Sequence, residues 1–344
     1  MIKKSLNILF LIFMVLPSFP QTGGDNVYEF LNLTHSGLVA SLGGSNVSIQ
    51  SGDLDMAYHN PSLLSPEMNK SLVMNYVNYF AGINYGMAMY SESFSNIGNF
   101  AAGVTYLNYG TFTETDVSGI ITGTFKASEY AFSVIYSREI DTSFTVGINF
   151  KPVLSYLERY SSLGFAFDIG ANWHNQSNLF SAVMTIKNVG FQVTTYAGEP
   201  HQNLPLEIQA GLSQKLAYAP FRFSLTIRHL EKYDLTHQYL PYGTAGTNDT
   251  QNSGFFENMM RHVILGAELI PHKNFYFCSG YNYQRRKELQ MESKVSTVGF
   301  SWGFGIKTSL LDIEFGRANY HLAGSSTHLS LILKTDNIYR KFRN

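Results

Sequence analysis

Charge is scarce in this sequence. Asp, Glu, Lys and Arg make up 14% of its 344 residues, against roughly 25% in ordinary globular domains. The charges nearly cancel, to a formal -1, so a nucleic acid meets no electrostatic footprint. Cysteine is scarcer still: Cys278 stands alone, which excludes an intrachain disulfide, and beside an aromatic it reads as a small filler rather than a reactive thiol. Ten scattered His with one Cys give no zinc spacing, and Asp53 and Asp55 lack the rest of a calcium loop. No cofactor motif is present either, since Gly43-Gly44 lacks the Gly-Lys-Ser/Thr ending of a phosphate loop. Beyond the first twenty residues no apolar run reaches about 18 residues, the least a membrane-spanning helix needs. If this chain crosses a membrane, it crosses as strands.

What is abundant is aromatic: 15% of the chain, with 22 Tyr and 26 Phe. These residues sit in segments that alternate apolar and polar, the period of a strand with two different faces. In FRFSLTIR, Phe221, Phe223, Leu225 and Ile227 oppose Arg222, Ser224, Thr226 and Arg228. Phe144 to Phe150, Leu163 to Ile169 and Leu206 to Leu212 repeat the pattern, and no charge falls in any of these apolar rows. A lipid bilayer enforces that absence, because an Arg on the lipid face at mid-bilayer costs roughly 2 to 4 kcal/mol. The opposite rows are too polar and Gly-rich for a dry sandwich core.

Fourteen such strands are expected, near residues 71–80, 83–91, 98–109, 128–137, 143–156, 163–174, 179–189, 204–216, 220–231, 260–270, 274–285, 295–306, 309–320 and 326–334. Their connections sort by parity, apart from the short first hairpin near Ala81 and Gly82 and the short last one near Ala323 and Gly324. Those after the fourth, sixth, eighth, tenth and twelfth strands are brief, whereas residues 110–127, 190–203, 232–259 and 286–294 are long connections after odd strands. Short periplasmic turns and long outer loops are the habit of outer-membrane barrels. The fold class is therefore all-β, a 14-stranded antiparallel transmembrane β-barrel with an N-terminal plug segment. Tyr79, Tyr109, Tyr156, Trp173, Tyr218, Tyr233, Tyr283 and Tyr320 lie near strand ends, where aromatics mark the water boundary of a bilayer.

The first residues, with Lys3 and Lys4 ahead of an apolar stretch from Leu6 to Leu16, have the order of a secretory signal peptide. The expected organisation is a signal peptide over 1–20, a plug over 21–70, the barrel over 71–334 and a tail over 335–344. The tail continues past the last strand, so either Tyr339 or Phe342 replaces the terminal aromatic of many outer-membrane barrels or the final strand lies elsewhere. The stretch before the barrel is too apolar to hang free, and folding inward accounts for it.

That stretch carries GGDNVYEFLNL, LGGSNVSI and Asn60-Pro61-Ser62. The Gly-Gly, short strand, acidic stretch and Asn-Pro-Ser resemble the N-terminal signature of FadL-type fourteen-stranded barrels, and GGDNVYEFLNL with LGGSNVSI resembles the PorQ family of the type IX secretion system. The resemblance implies a non-enzymatic part in protein secretion. The chain would anchor a PorZ-like surface protein of the attachment complex, alongside a sortase-like protease and a PorV-like barrel, where cargo is moved onto lipopolysaccharide. The alternative is a FadL-like channel for hydrophobic compounds, with Asn60 and Pro61 in the plug.

A lipid hydrolase is the third class considered. His229, His237 and His262 lie near the outer rim with Glu231 and Asp234, but no Gly-X-Ser-X-Gly turn marks a nucleophile. The loop 232–259 sets Tyr233, Tyr239, Tyr242, Phe255 and Phe256 among Gly, Asn and Thr, the mixture of rigid anchors and adaptable polar groups that partner-binding loops favour. A lid folded over the pore would use the same residues.

Overall fold

In a computed structural model, residues 26–79, 82–235, 254–289, 297–321 and 324–336 are described. The expected signal peptide, Gln21, His237, Tyr239, Tyr242, Tyr339 and Phe342 lie outside them. Fourteen strands form one closed antiparallel barrel. The first seven are β1 (Ser71–Asn78), β2 (Asn84–Phe94), β3 (Gly98–Thr115), β4 (Ile121–Asp141), β5 (Phe144–Leu157), β6 (Tyr160–His174) and β7 (Phe180–Thr194). The rest are β8 (Glu207–Lys215), β9 (Phe221–Ile227), β10 (Val263–His272), β11 (Phe275–Asn282), β12 (Phe300–Lys307), β13 (Leu311–His321) and β14 (Gly324–Lys334). The cylinder closes where β1 pairs with β14, from Ser71 opposite Lys334 to Asn78 opposite Thr327. Closure leaves no sheet edge in the hydrocarbon, the condition for strands to cross a bilayer.

The alternation puts the faces where the sequence places them. Phe221 and Phe223 point outward and are exposed, while Ser224 and Thr226 point inward and are buried. On β5 the buried row is Thr145, Gly147, Asn149, Lys151, Val153 and Ser155. Outside, Phe144, Ile148, Phe167, Ile169 and Trp173 stand exposed on the neighbouring faces of β5 and β6. The exposed outer side is apolar and aromatic, and it is the lipid-facing side.

Two expectations are corrected. Tyr79 and Tyr109 do not mark the lipid boundary: both turn inward onto a cluster holding Val27, Phe30 and Leu31, and the Tyr109 hydroxyl donates to Glu129 Oε2 at 2.6 Å. Tyr156 and Trp173 are exposed as expected, as are Tyr218 and Tyr233. Residues 110–127 are not a loop. β3 and β4 continue as a paired ribbon to a turn at 116–120, past a bulge between Asn108 and Thr111. The Thr- and Gly-rich composition hides this extension, because the bulge interrupts the period of two. Two of the other outer connections hold short helices, α3 (Phe255–Arg261) before β10 and α4 (Tyr283–Leu289) after β11.

Candidate functional site

Residues 26–70 lie against the inward rows of the barrel. The segment enters near the outer rim, where the Val27 amide donates to Asn203 O at 2.9 Å. Two short helices follow, α1 (Gly37–Ser41) and α2 (Met56–His59). Ser36 caps α1 by accepting from the Val39 amide. Its backbone amides then donate to the wall, Gly37 N to Ser330 Oγ at 2.9 Å and Leu38 N to Glu314 Oε2 at 3.2 Å. Further on, Gly43 N donates to Ser301 Oγ at 2.8 Å, Asn46 Nδ2 to Ser224 Oγ at 2.9 Å, and Ser181 Oγ to Ser48 O at 2.6 Å. Lys307 Nζ grips the carboxylate of Asp53 at 2.7 and 2.8 Å and the Ser51 carbonyl at 3.0 Å. The Asp53 carboxylate is thus one half of an ion pair, and no cluster of three or more metal-ligating side chains occurs among the described residues.

Asn60 and Pro61 are buried at the centre of this packing. Asn60 Nδ2 donates to Val47 O at 2.9 Å, and its Oδ1 accepts from the Ser62 amide at 3.0 Å and the Ser62 hydroxyl at 2.6 Å. The Asn side chain thus ties two turns of the segment together, and Ser62 supplies a hydroxyl to the same oxygen. Opposite lie Gly147 and Gly170, paired across β5 and β6. A Cβ at Gly147 would sit 2.3 Å from the Pro61 carbonyl carbon, and one at Gly170 2.1 Å from Asn60 Oδ1. Gly280 and Gly316 make the same room for Leu42 and Gly37. The Gly-rich inner rows are therefore the complement of a backbone lying directly on the wall.

Three ion pairs lie on the inner rows of β5 to β10. Lys151 Nζ meets Asp168 Oδ1 at 2.6 Å with both side chains at 0% exposure, and Asp168 also accepts from the Asn188 amide at 2.8 Å and Asn149 Nδ2 at 3.1 Å. Arg228 Nε lies 2.5 Å from Glu207, and Arg222 Nη1 3.2 Å from Glu268. Buried charges need this because each unpaired ion costs several kcal/mol. Beside them His35, Tyr58 and His59 form a ring cluster, with His35 4.4 Å from Tyr58 and 5.4 Å from His59 between centroids. Lys151 and Lys187 stand 5.7 and 5.9 Å from the centre of the Tyr58 ring. Burial, with the Lys187 ammonium nearby, pushes the His35 imidazole down to about 3. Burial and His35 push His59 well below its ordinary value. Burial, with Asp53 alongside, lifts the Asp55 carboxyl to about 7. At neutral pH the two imidazoles are uncharged, as their place among ammonium groups requires.

The rim residues are arranged differently. Tyr233 is 72% exposed, and Phe255 and Phe256 at the start of α3 are 70% and 68% exposed. Asn258 ties these two parts together, its Nδ2 donating to Tyr233 O at 2.5 Å. His229 Nδ1 pairs with Glu231 Oε1 at 3.1 Å, and His262 Nδ1 with Arg228 O at 2.7 Å. These contacts make the two histidines structural parts of the rim and do not bring either one onto a serine. Cys278 is buried in a cluster with Leu38, Leu42 and Tyr276. Sequence reasoning missed the Lys151–Asp168 pair, although both residues fall in inner rows and Asn149 stands opposite Asp168.

The fold matches solved transporters. One is the toluene transporter TbuX of Ralstonia pickettii, with a TM-score of 0.53 and 10% identity, over 88% of this chain and 98% of that one. Another is the toluene transporter TodX of Pseudomonas putida, with a TM-score of 0.51 and 11% identity, over 87% of this chain and 96% of that one. Likeness at this identity is a likeness of fold. No protein-family model matches the sequence, and no curated protein matches it significantly.

Proposed function

We propose that this protein is a non-enzymatic outer-membrane barrel that holds a protein partner at the cell surface. The observation that supports this reading is the packing of the N-terminal segment on the inner wall. Residues 26–70 lie on the wall through backbone-to-wall hydrogen bonds and the Lys307–Asp53 pair, and Lys151–Asp168 and Arg228–Glu207 pair on the inner rows around them. Such packing suits a rigid scaffold, whose working surface is its rim. The finer identity rests on the N-terminal motifs alone: GGDNVYEFLNL with LGGSNVSI resembles the PorQ family, whose partners are a PorZ-like surface protein, a sortase-like protease and a PorV-like barrel at the lipopolysaccharide layer, while Asn60-Pro61-Ser62 resembles the wider FadL-type signature. Tyr233, Phe255 and Phe256 are exposed residues that such a partner could grip.

A second reading, a channel for hydrophobic compounds, has its own support. Both solved proteins named above are toluene transporters, which favours the channel over the secretion role. In that case residues 26–70 would have to shift to open a path past the apolar cluster of Phe30, Leu31 and Tyr85.

Purification from native outer membrane in mild detergent separates the two. Stoichiometric co-purification of surface proteins supports the anchor. Uptake of toluene or fatty acid into vesicles carrying only this barrel, above that of empty vesicles, together with no co-purifying protein, would overturn it in favour of the channel.

A further inference from the structure

The lipid-facing band is not equally tall all round the barrel. On β5 every second residue from Phe144 to Tyr156 points outward and is apolar or aromatic, and on β6 so is the outward row from Trp173 to Leu163. Each residue of a strand tilted about 40° adds roughly 2.5 Å of height, so this flank carries a band about 25–30 Å tall, enough for a full hydrocarbon core. The flank of β13, β14 and β1 begins at the periplasmic ends in the same way and stops early. β13 sets Leu311, Ile313 and Phe315 outward and then Arg317 and Asn319. β14 follows Leu333, Leu331 and Leu329 with Thr327 and Ser325, and β1 follows Leu72, Met74 and Tyr76 with Asn78. The apolar part of these rows is about 10 Å tall.

The polar residues above it form one patch. Arg317 stands opposite Thr327, and Thr327 opposite Asn78. Arg317 is exposed and makes no hydrogen bond or ion pair among the described residues. The aromatics that mark a water boundary dip to the same level. Trp302 stands opposite Arg317 on β12 and is 48% exposed. Tyr76 is 47% exposed and turns its hydroxyl toward the outer end of β2, donating to Asn84 Oδ1 at 2.8 Å. On β5 the outward residue of that kind is Tyr156, at the top of the row.

We propose that the outer leaflet is drawn down along β13, β14 and β1, and that Arg317, flanked by Asn319, Thr327 and Asn78, binds the phosphate of a lipid headgroup there. In a leaflet of full thickness Arg317 would face acyl chains, a costly arrangement for a barrel, whereas a short apolar stretch thins the bilayer beside it at modest cost. A headgroup phosphate then supplies the anion that a guanidinium holds through two parallel bonds, and the neighbouring amide and hydroxyl groups add neutral donors. No acidic side chain stands in the outward rows of these three strands among the described residues. That also disfavours a second copy as the cover, because a twofold contact would bring the arginines together with no carboxylate to match them. The inference holds whether the barrel anchors a partner or passes a solute.

The test uses the full barrel in lipid. Its tryptophans are Trp173 and Trp302, so Trp173→Phe leaves Trp302 as the reporter of depth. In brominated phosphatidylcholine vesicles, bromines near the carbonyls should quench Trp302 about twofold more than bromines near the bilayer centre. Equal or stronger quenching from the centre would show a leaflet of full thickness on this flank and overturn the proposal. The headgroup is tested by native mass spectrometry from nanodiscs of phosphatidylglycerol or of a phosphate-free galactolipid. The wild-type barrel should retain a phosphatidylglycerol that Arg317→Gln retains about tenfold less, with heat-modifiable gel mobility unchanged, and should retain no galactolipid. Excess inorganic phosphate should leave that lipid in place. Equal retention by the variant, retention of galactolipid, or displacement by inorganic phosphate would overturn the headgroup site. A wild-type dimer that Arg317→Gln dissociates would overturn it in favour of a second copy on the same patch.

Discussion

The two faces of β5 and β6 are built from the same twenty-nine residues of strand and obey opposite rules. Outside, Phe144, Ile148, Phe150, Phe165 and Phe167 form a charge-free surface in which Phe150 stacks within 5.0 Å of Phe167 and 5.7 Å of Phe165. Inside, one residue away at each step, lie Gly147 and Gly170, packed on Asn60 and Pro61, and Asn149, Lys151 and Asp168, bonded to one another. The outer face needs only hydrophobicity, because lipid is fluid and accepts any apolar shape. The inner face needs individual residues, because its partner is a fixed backbone. Tolerance to substitution should therefore differ between them in kind as well as degree.

The largest effect is expected inside. Asp168→Leu leaves the Lys151 ammonium buried and unpaired and should cost about 3–5 kcal/mol of unfolding free energy in detergent. Adding Lys151→Met should recover most of it, measured by urea titration of the tryptophan fluorescence. On the outer face Ile148→Arg should cost roughly 2–4 kcal/mol in bilayers, while Ile148→Leu or Ile148→Val should be nearly silent. A cost for Ile148→Arg that vanished in bilayers would break the distinction between the faces. Back inside, Gly170→Ala sets a methyl on Asn60 Oδ1 and should cost about 1–3 kcal/mol, although the same change on the outer face would be harmless.

The smallest effect is one of pH, and it sharpens the comparison because only the interior can show it. His35 and His59 are held below their unfolded values, so their contribution is complete above about 6.5 and fades as pH falls below it. Asp55 is held above its unfolded value, so its contribution is complete below about 3.8 and fades as pH rises through 7. Asp55→Asn should therefore steepen the rise of stability with pH between about 4 and 6.5, measured by urea titration at a series of pH values, and an unchanged slope would contradict the raised Asp55 carboxyl.

The ability to read this chain from its sequence follows the same division. The Phe221 to Ile227 row and the charge-free rows of the fifth, sixth and eighth strands were legible, because a lipid face imposes a rule on each residue separately. Residues 110–127 look like a loop in the sequence, since a bulge shifts the period and Thr and Gly mimic a turn-rich segment. Tyr79 and Tyr109 were read as lipid-boundary residues, since an aromatic near a strand end satisfies that rule whichever way it points. Asn60 and Pro61 were legible as a motif, but their opposite numbers Gly147 and Gly170 were not.

The residues in order were enough to determine that this chain closes as fourteen strands with an apolar outside and a polar inside, because alternation is written locally and the bilayer reads it one side chain at a time. Only the tertiary structure decided what fills the cylinder, which buried charges meet, and which connection stands above the rim as a ribbon. Those outcomes depend on strand register and on contacts between segments more than a hundred residues apart, and no local pattern encodes a distance of that kind.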